Sequence, residues 1–93
     1  MANLTVYTDR AVRSSAAKQY LTNLGVAFDE VNVEQDSSAV EFLESKGRDL
    51  KHYPLPQFYV GESLAYENGF KDFSTATAEQ INSKVEEINA ANA

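Results

Sequence analysis

Arg10, Arg13, Ser14 and Ser15 stand together between an alternating apolar run and the first helical pattern of the chain. Guanidinium groups at a helix start can hold a substrate carboxylate, although arginines solvated at the surface are the ordinary outcome. A serine hydroxyl is a weak nucleophile that needs an adjacent general base, and this region offers none. The 93 residues contain no cysteine. That removes disulfides, thiolate zinc sites and thiol nucleophiles together. The one imidazole belongs to His52, beside Tyr53 and Pro54, a setting that reads as a surface or loop residue without a chemical role.

Those side chains need a scaffold, and the pattern of the chain supplies one. Leu4, Val6 and Thr8 alternate on one face of a strand. Ala17, Tyr20, Leu21 and Leu24 recur at helical spacing, and Gly25 closes that helix. Residues 26–34 alternate again, with Val31 and Val33 facing one way and Phe28 the other. Asp36, Ser37 and Ser38 are candidate N-caps, and Ser38 with Glu41 has capping-box spacing. The helix they open carries Ala39, Phe42 and Leu43 and ends near Gly47. Residues 57–60 and 63–66 flank Gly61-Glu62, a link short enough only for an antiparallel hairpin. Thr77 and Gln80 cap a last helix built on Ile81, Val85 and Ile88, with a tail from Asn89 expected to fray.

The order β-α-β-α-β-β-α predicts an α/β fold, a four-stranded mixed sheet with helices on both faces, in one domain over residues 1–93. A formal net charge of -6, from 14 acidic and 8 basic residues, argues against a nucleic-acid partner. No run approaches the roughly 20 apolar residues that span a bilayer. The start Met1-Ala2-Asn3-Leu4-Thr5 has neither a charged nor an apolar leader segment. The expectation is a cytoplasmic monomer with no membrane association.

This topology is the thioredoxin fold, and four segments resemble one family within it. Leu4-Thr5-Val6-Tyr7-Thr8, a short loop and a helix resemble the opening of glutaredoxins, which carry Cys-x-x-Cys at that helix start. Residues 15–28 resemble the glutaredoxin-like redoxins that reduce ribonucleotide reductase. Lys46-Gly47-Arg48-Asp49 and Pro54-Leu55-Pro56-Gln57-Phe58 resemble phage glutaredoxins, in which a hydrophobic residue precedes a cis-proline. Asn68-Gly69-Phe70-Lys71-Asp72-Phe73 resembles the family's glycine turn. The likeness runs from the first strand to the start of the last helix.

The resemblance puts Ala11 and Ser14 at the two cysteine positions, with Val12 and Arg13 between them. It implies that Leu55 pairs its backbone with a substrate peptide ahead of Pro56, and that Gly69 and Phe70 receive the γ-glutamyl end of glutathione. Lys71 stands where glutaredoxins carry an Asp, which favours thioredoxin reductase over glutathione as the family-type reductant. The implied partners are a disulfide-bearing protein such as ribonucleotide reductase, or glutathione as ligand; no other cofactor is implied. The family's chemistry needs a thiolate stabilised at the helix N-terminus and a second thiol to resolve the mixed disulfide. Ala11 and Ser14 supply neither. Both are close steric replacements for cysteine, so the pair reads as a dithiol site exchanged for Ala and Ser by engineering. The other reading is a naturally cysteine-free thioredoxin-fold module that binds protein. In either case the chain is expected to reduce no disulfide, and insulin turnover above the uncatalysed rate would refute this.

Overall fold

The computed structural model describes residues 3–53, 55–67, 69 and 75–92. Strand β1 (Leu4–Thr8) leads into helix α1 (Val12–Leu24), followed by β2 (Phe28–Asn32) and α2 (Ser37–Ser45). A hairpin of β3 (Gln57–Val60) and β4 (Ser63–Leu64) comes next, and helix α3 (Ala78–Ala91) ends the order. The sheet order is β2-β1-β3-β4. β1 runs parallel to β2 and antiparallel to β3, and β3 is antiparallel to β4. This is the mixed four-stranded sheet of the thioredoxin fold.

Strand periodicity divides the core between the two faces of the sheet. Leu4, Val6, Phe58 and Val60 pack with Ala17 and Leu21 of α1 and Ile81 of α3. Tyr59 of β3 points the other way and joins Ala39 and Leu43 of α2, with Leu55, Tyr7 and Phe42 around it. Tyr7, Phe42 and Tyr59 form a triangle of rings with centroids 5.3–5.6 Å apart. The hydroxyl of Tyr20 donates to the carbonyl of Ala76 and so fastens the entry to α3 onto α1.

The helix boundaries follow local chemistry. Gly25 adopts φ 73°, a left-handed conformation that costs a glycine little. Its N–H donates to Thr22, and that of Val26 donates to Leu21, which closes α1 in a Schellman motif. The capping box of α3 forms as its spacing predicts: Gln80 N–H donates to Thr77 Oγ1 at 3.2 Å, and Thr77 N–H donates to Gln80 Oε1 at 3.0 Å.

Four expectations shift. The N-cap of α2 is Asp36, whose Oδ1 accepts from Ser38 N at 3.1 Å, so the Ser38–Glu41 pair lies within the helix. A carboxylate at that position also meets the helix dipole favourably. Strand β2 is five residues long rather than nine, because β1 offers only five partners and Asn32 Oδ1 turns the chain by accepting from Glu34 N. Strand β4 stops at Leu64, and α3 continues to Ala91, where Asn92 Nδ2 donates to Ser63 Oγ at 2.9 Å.

Leu21 is wholly buried between α1 and the sheet. Leu21→Ala is expected to lower the free energy of unfolding by about 2–5 kcal/mol, read as a lower urea midpoint at constant slope.

Candidate functional site

Tyr7 opposes Gln57 at the last pair of the β1–β3 ladder. Thr8 and Asp9 on one side, and Leu55 and Pro56 on the other, therefore leave the sheet at the same end. Between β1 and α1 only Asp9, Arg10 and Ala11 are available to reverse the chain. Ala11 is the N-cap, in extended conformation, and has no side-chain group with which to cap.

Asp9 does that work from two residues upstream. Its Oδ1 accepts from Ala11 N and from Ser14 Oγ, each at 2.9 Å, and its own N–H donates to Ser14 Oγ at 3.1 Å. Ser14, the third residue of α1, is completely buried. Its hydroxyl thus has both a donor and an acceptor partner, as a buried polar group requires. Ser14 N–H also donates to the carbonyl of Ala11 at 3.1 Å, so positions 11 and 14 lie in one turn.

Arg10 turns aside. Its Nε and its backbone N–H each donate to the carboxylate of Glu34 at 2.8 Å, tying the loop to the end of β2. Val12 is 85% exposed at the tip of α1. Arg13 is also exposed and makes no ion pair among the described residues.

Below the loop, Glu30 Oε2 accepts from the buried Thr8 hydroxyl and from Lys18 Nζ, each at 2.9 Å. The Lys18 hydrogen bond is the main cause that holds the Glu30 carboxyl below its ordinary range. A carboxyl lowered in this way favours folding above its unfolded-state pKa, and the contribution is lost as pH falls through the lower folded value. Burial pushes the hydroxyl pKa of Tyr7 up, and the nearby Asp36 charge adds to it.

Residues 46–56 complete this end of the molecule. Gln57 is 3% exposed, and its Nε2 donates to the carbonyls of Tyr53 at 2.8 Å and Arg48 at 3.3 Å. Leu55 is buried, and the Leu55–Pro56 peptide is cis. Gly69 has φ 60°, and a Cβ added there would lie 2.9 Å from the Pro56 carbonyl oxygen. Only a glycine lets that turn press against Pro56 without displacing backbone.

Of the residues singled out in the sequence, Ala11, Val12, Arg13 and Ser14 sit on the first turn of α1, while Leu55, Pro56 and Gly69 form one packed step. Arg10 faces Glu34. Phe70 and Lys71 lie outside the described residues. Asp9, Glu34, Gln57 and Arg48 were not singled out. Gln57 left a trace as the one strongly polar residue of a buried strand. Asp9 and Glu34 left none, because their partners are decided by tertiary contact. Among the described residues no cluster of His, Asp or Glu is placed to hold a metal ion, and no helix is long and apolar enough to cross a membrane.

A sequence model of the glutaredoxins matches residues 12–65. The chain belongs to the glutaredoxin family. The match takes in Ser14, Leu55 and Pro56, begins one residue past Ala11 and ends before Gly69. Comparison with curated proteins gives no match.

Within this glutaredoxin fold, Ser14 is a structural hydroxyl. Ser14→Ala strands the Asp9 N–H and one bond of the Asp9 carboxylate, at an expected cost of about 1–2 kcal/mol. Urea denaturation measures the loss, and an unchanged midpoint would show that Asp9 caps the helix alone.

Proposed function

We propose that this glutaredoxin-family domain binds a ligand without redox turnover, at the surface formed by the start of α1, the Leu55-Pro56 step and Gly69. The observation that carries the reading is the placement of apolar exposure. Among the described residues, Val12 and Tyr53 are the large hydrophobic side chains left open to solvent, at 85% and 39%, and both flank this end of the sheet. Val12 opens α1 just past the exit from β1, and Tyr53 precedes the entry to β3, so each offers apolar area to a partner seated at that end of the sheet. Family membership suggests what the partner is: an extended segment of a cysteine-bearing protein, ribonucleotide reductase among them, or glutathione. The ligand-facing roles fall to the Leu55 backbone, to Gly69 and to Arg13, whose charge has no ion-pair partner among the described residues.

The Asp9–Ser14 pair bears on how the thiols are missing. A hydroxyl that donates at 2.9 Å and accepts at 3.1 Å fits a space that a thiol, larger and a weaker donor, fills less well. Asp9 also places a carboxylate where a redox site needs the helix N-terminus free to stabilise a thiolate. Both points favour a naturally cysteine-free binding domain over an engineered exchange of a working dithiol.

Two measurements test the reading. Titration with S-methylglutathione, which has no free thiol, is expected to shift the backbone amides of Val12, Arg13, Leu55 and Gly69. Shifts confined to other surfaces, or none, would overturn the binding site. The double variant Ala11→Cys/Ser14→Cys separates the two origins. A stable intramolecular disulfide with brisk insulin reduction would restore the engineered reading. A destabilised protein with little turnover supports the binding domain.

A further inference from the structure

Arg48 is half-buried and held at more points than a loop arginine of an acidic protein needs. Its backbone N–H donates to Leu43 O at 2.9 Å, closing α2, and its carbonyl accepts from Gln57 Nε2 at 3.3 Å. The main chain at this position is therefore fixed to both α2 and β3. Its guanidinium carbon lies 4.1 Å from the centre of the Tyr53 ring. Its Nη2 donates to the main-chain carbonyl of Glu67, two residues before Gly69.

The side chain makes no ion pair with any described carboxylate, and its charge is directed at a carbonyl and a ring. Its Nε is buried without a hydrogen-bond partner. A buried donor left unpaired is a cost, and it is tolerated where the rest of the group is held by something else. Here the guanidinium plane is held by Tyr53 below and Glu67 ahead. Its charge also reaches β3: burial raises the Tyr59 hydroxyl pKa and the nearby Arg48 opposes that rise.

We infer that Arg48 is a positioning residue for the ligand surface: by clamping the Glu67 carbonyl while stacked on Tyr53, it holds the Gly69 turn against the Pro56 carbonyl. The inference rests on the binding surface proposed above and adds the element that sets its shape. Arg48 touches no ligand in this account. It adds a side-chain tie between the segment entering Leu55-Pro56 and the turn that carries Gly69, beyond the short β3–β4 hairpin that lies between them in the chain. Lysine would not replace it, since a single ammonium cannot both stack on the ring and present a planar fork to the carbonyl.

The test uses Arg48→Met, which keeps the apolar length of the side chain, and Arg48→Lys, which keeps the charge. In the free proteins, the Leu55 and Gly69 amides and their residual dipolar couplings are expected to change in both variants, less in Arg48→Lys. Affinity for S-methylglutathione is expected to fall about tenfold in Arg48→Met, as for one lost charge-assisted hydrogen bond. A merely structural role would lower the melting temperature and leave the amides and the affinity of the folded protein unchanged; that result overturns the inference. If Arg48→Met does not fold, the amides of Arg48→Lys decide. If the unmutated protein does not bind S-methylglutathione, the binding reading fails, while the couplings of Leu55 and Gly69 in the free variants still decide the role of Arg48.

Discussion

The pairing of Tyr7 with Gln57 at the end of the central strand pair determines which segments of this molecule can meet. Because the two strands are antiparallel, the exit from β1 and the entry to β3 fall side by side. The exit must become α1 within three residues, and the entry must arrive from α2 through residues 46–56. Every residue of the candidate surface is supplied by those two connections, apart from Gly69, which is brought in by its contact with Pro56. A slip of one residue in this register would turn Phe58 and Val60 away from α1 and put Tyr59 in their place, mixing the two halves of the core. The burial of both faces therefore holds the surface in register as a by-product of packing.

Charge is distributed as unevenly as apolar exposure. Between Gln19 and Ser45 the chain carries six acidic residues and no Lys or Arg, which equals the net charge of -6; the other eight acids are matched by eight bases. That segment forms the open edge strand β2 and the helix behind it. Glu30 and Glu34 are drawn back onto Lys18 and Arg10, so they brace the first loop from below and from the side. Asp29 stays exposed on an edge with free backbone groups. A charge there opposes strand addition by a second copy, a common protection for an edge that has no proline or bulge. The same acidic segment thus supports the loop through its paired members and guards the sheet edge through its unpaired ones.

Much of this was legible in the sequence, and the parts that were not have a common cause. The element order, the Gly25 stop and the Thr77–Gln80 box depend on residues within five positions of one another, so spacing alone reveals them. The start of α2 was legible only as a choice among Asp36, Ser37 and Ser38, since all three residue types cap helices. The length of β2 was misread because its alternation continues beyond what β1 can pair. Ser14 was identified as a position but not as a buried hydroxyl, because its partner Asp9 lies on the far side of a turn. Arg48 was seen only within a short motif. Its reach to Glu67 spans nineteen positions and depends on where the hairpin returns.

The absence of thiols removes one kind of chemistry, and the binding proposed for this domain does not depend on them, for a reason that lies in the backbone. Thiol exchange depends on side-chain atoms at positions 11 and 14, and alanine and serine abolish it outright. Strand-like pairing with a peptide depends on the N–H and C=O groups of Leu55 and on the approach allowed by a missing Cβ at Gly69. Those atoms keep their places through Gln57 and Arg48, neither of which needs a sulfur atom nearby. At the helix start, Asp9 and Ser14 satisfy each other and Ala11 N–H, so the turn is held without an external anion. A scaffold arranged in this way separates recognition from redox chemistry: the first is written in main-chain geometry, and only the second in the identity of two side chains.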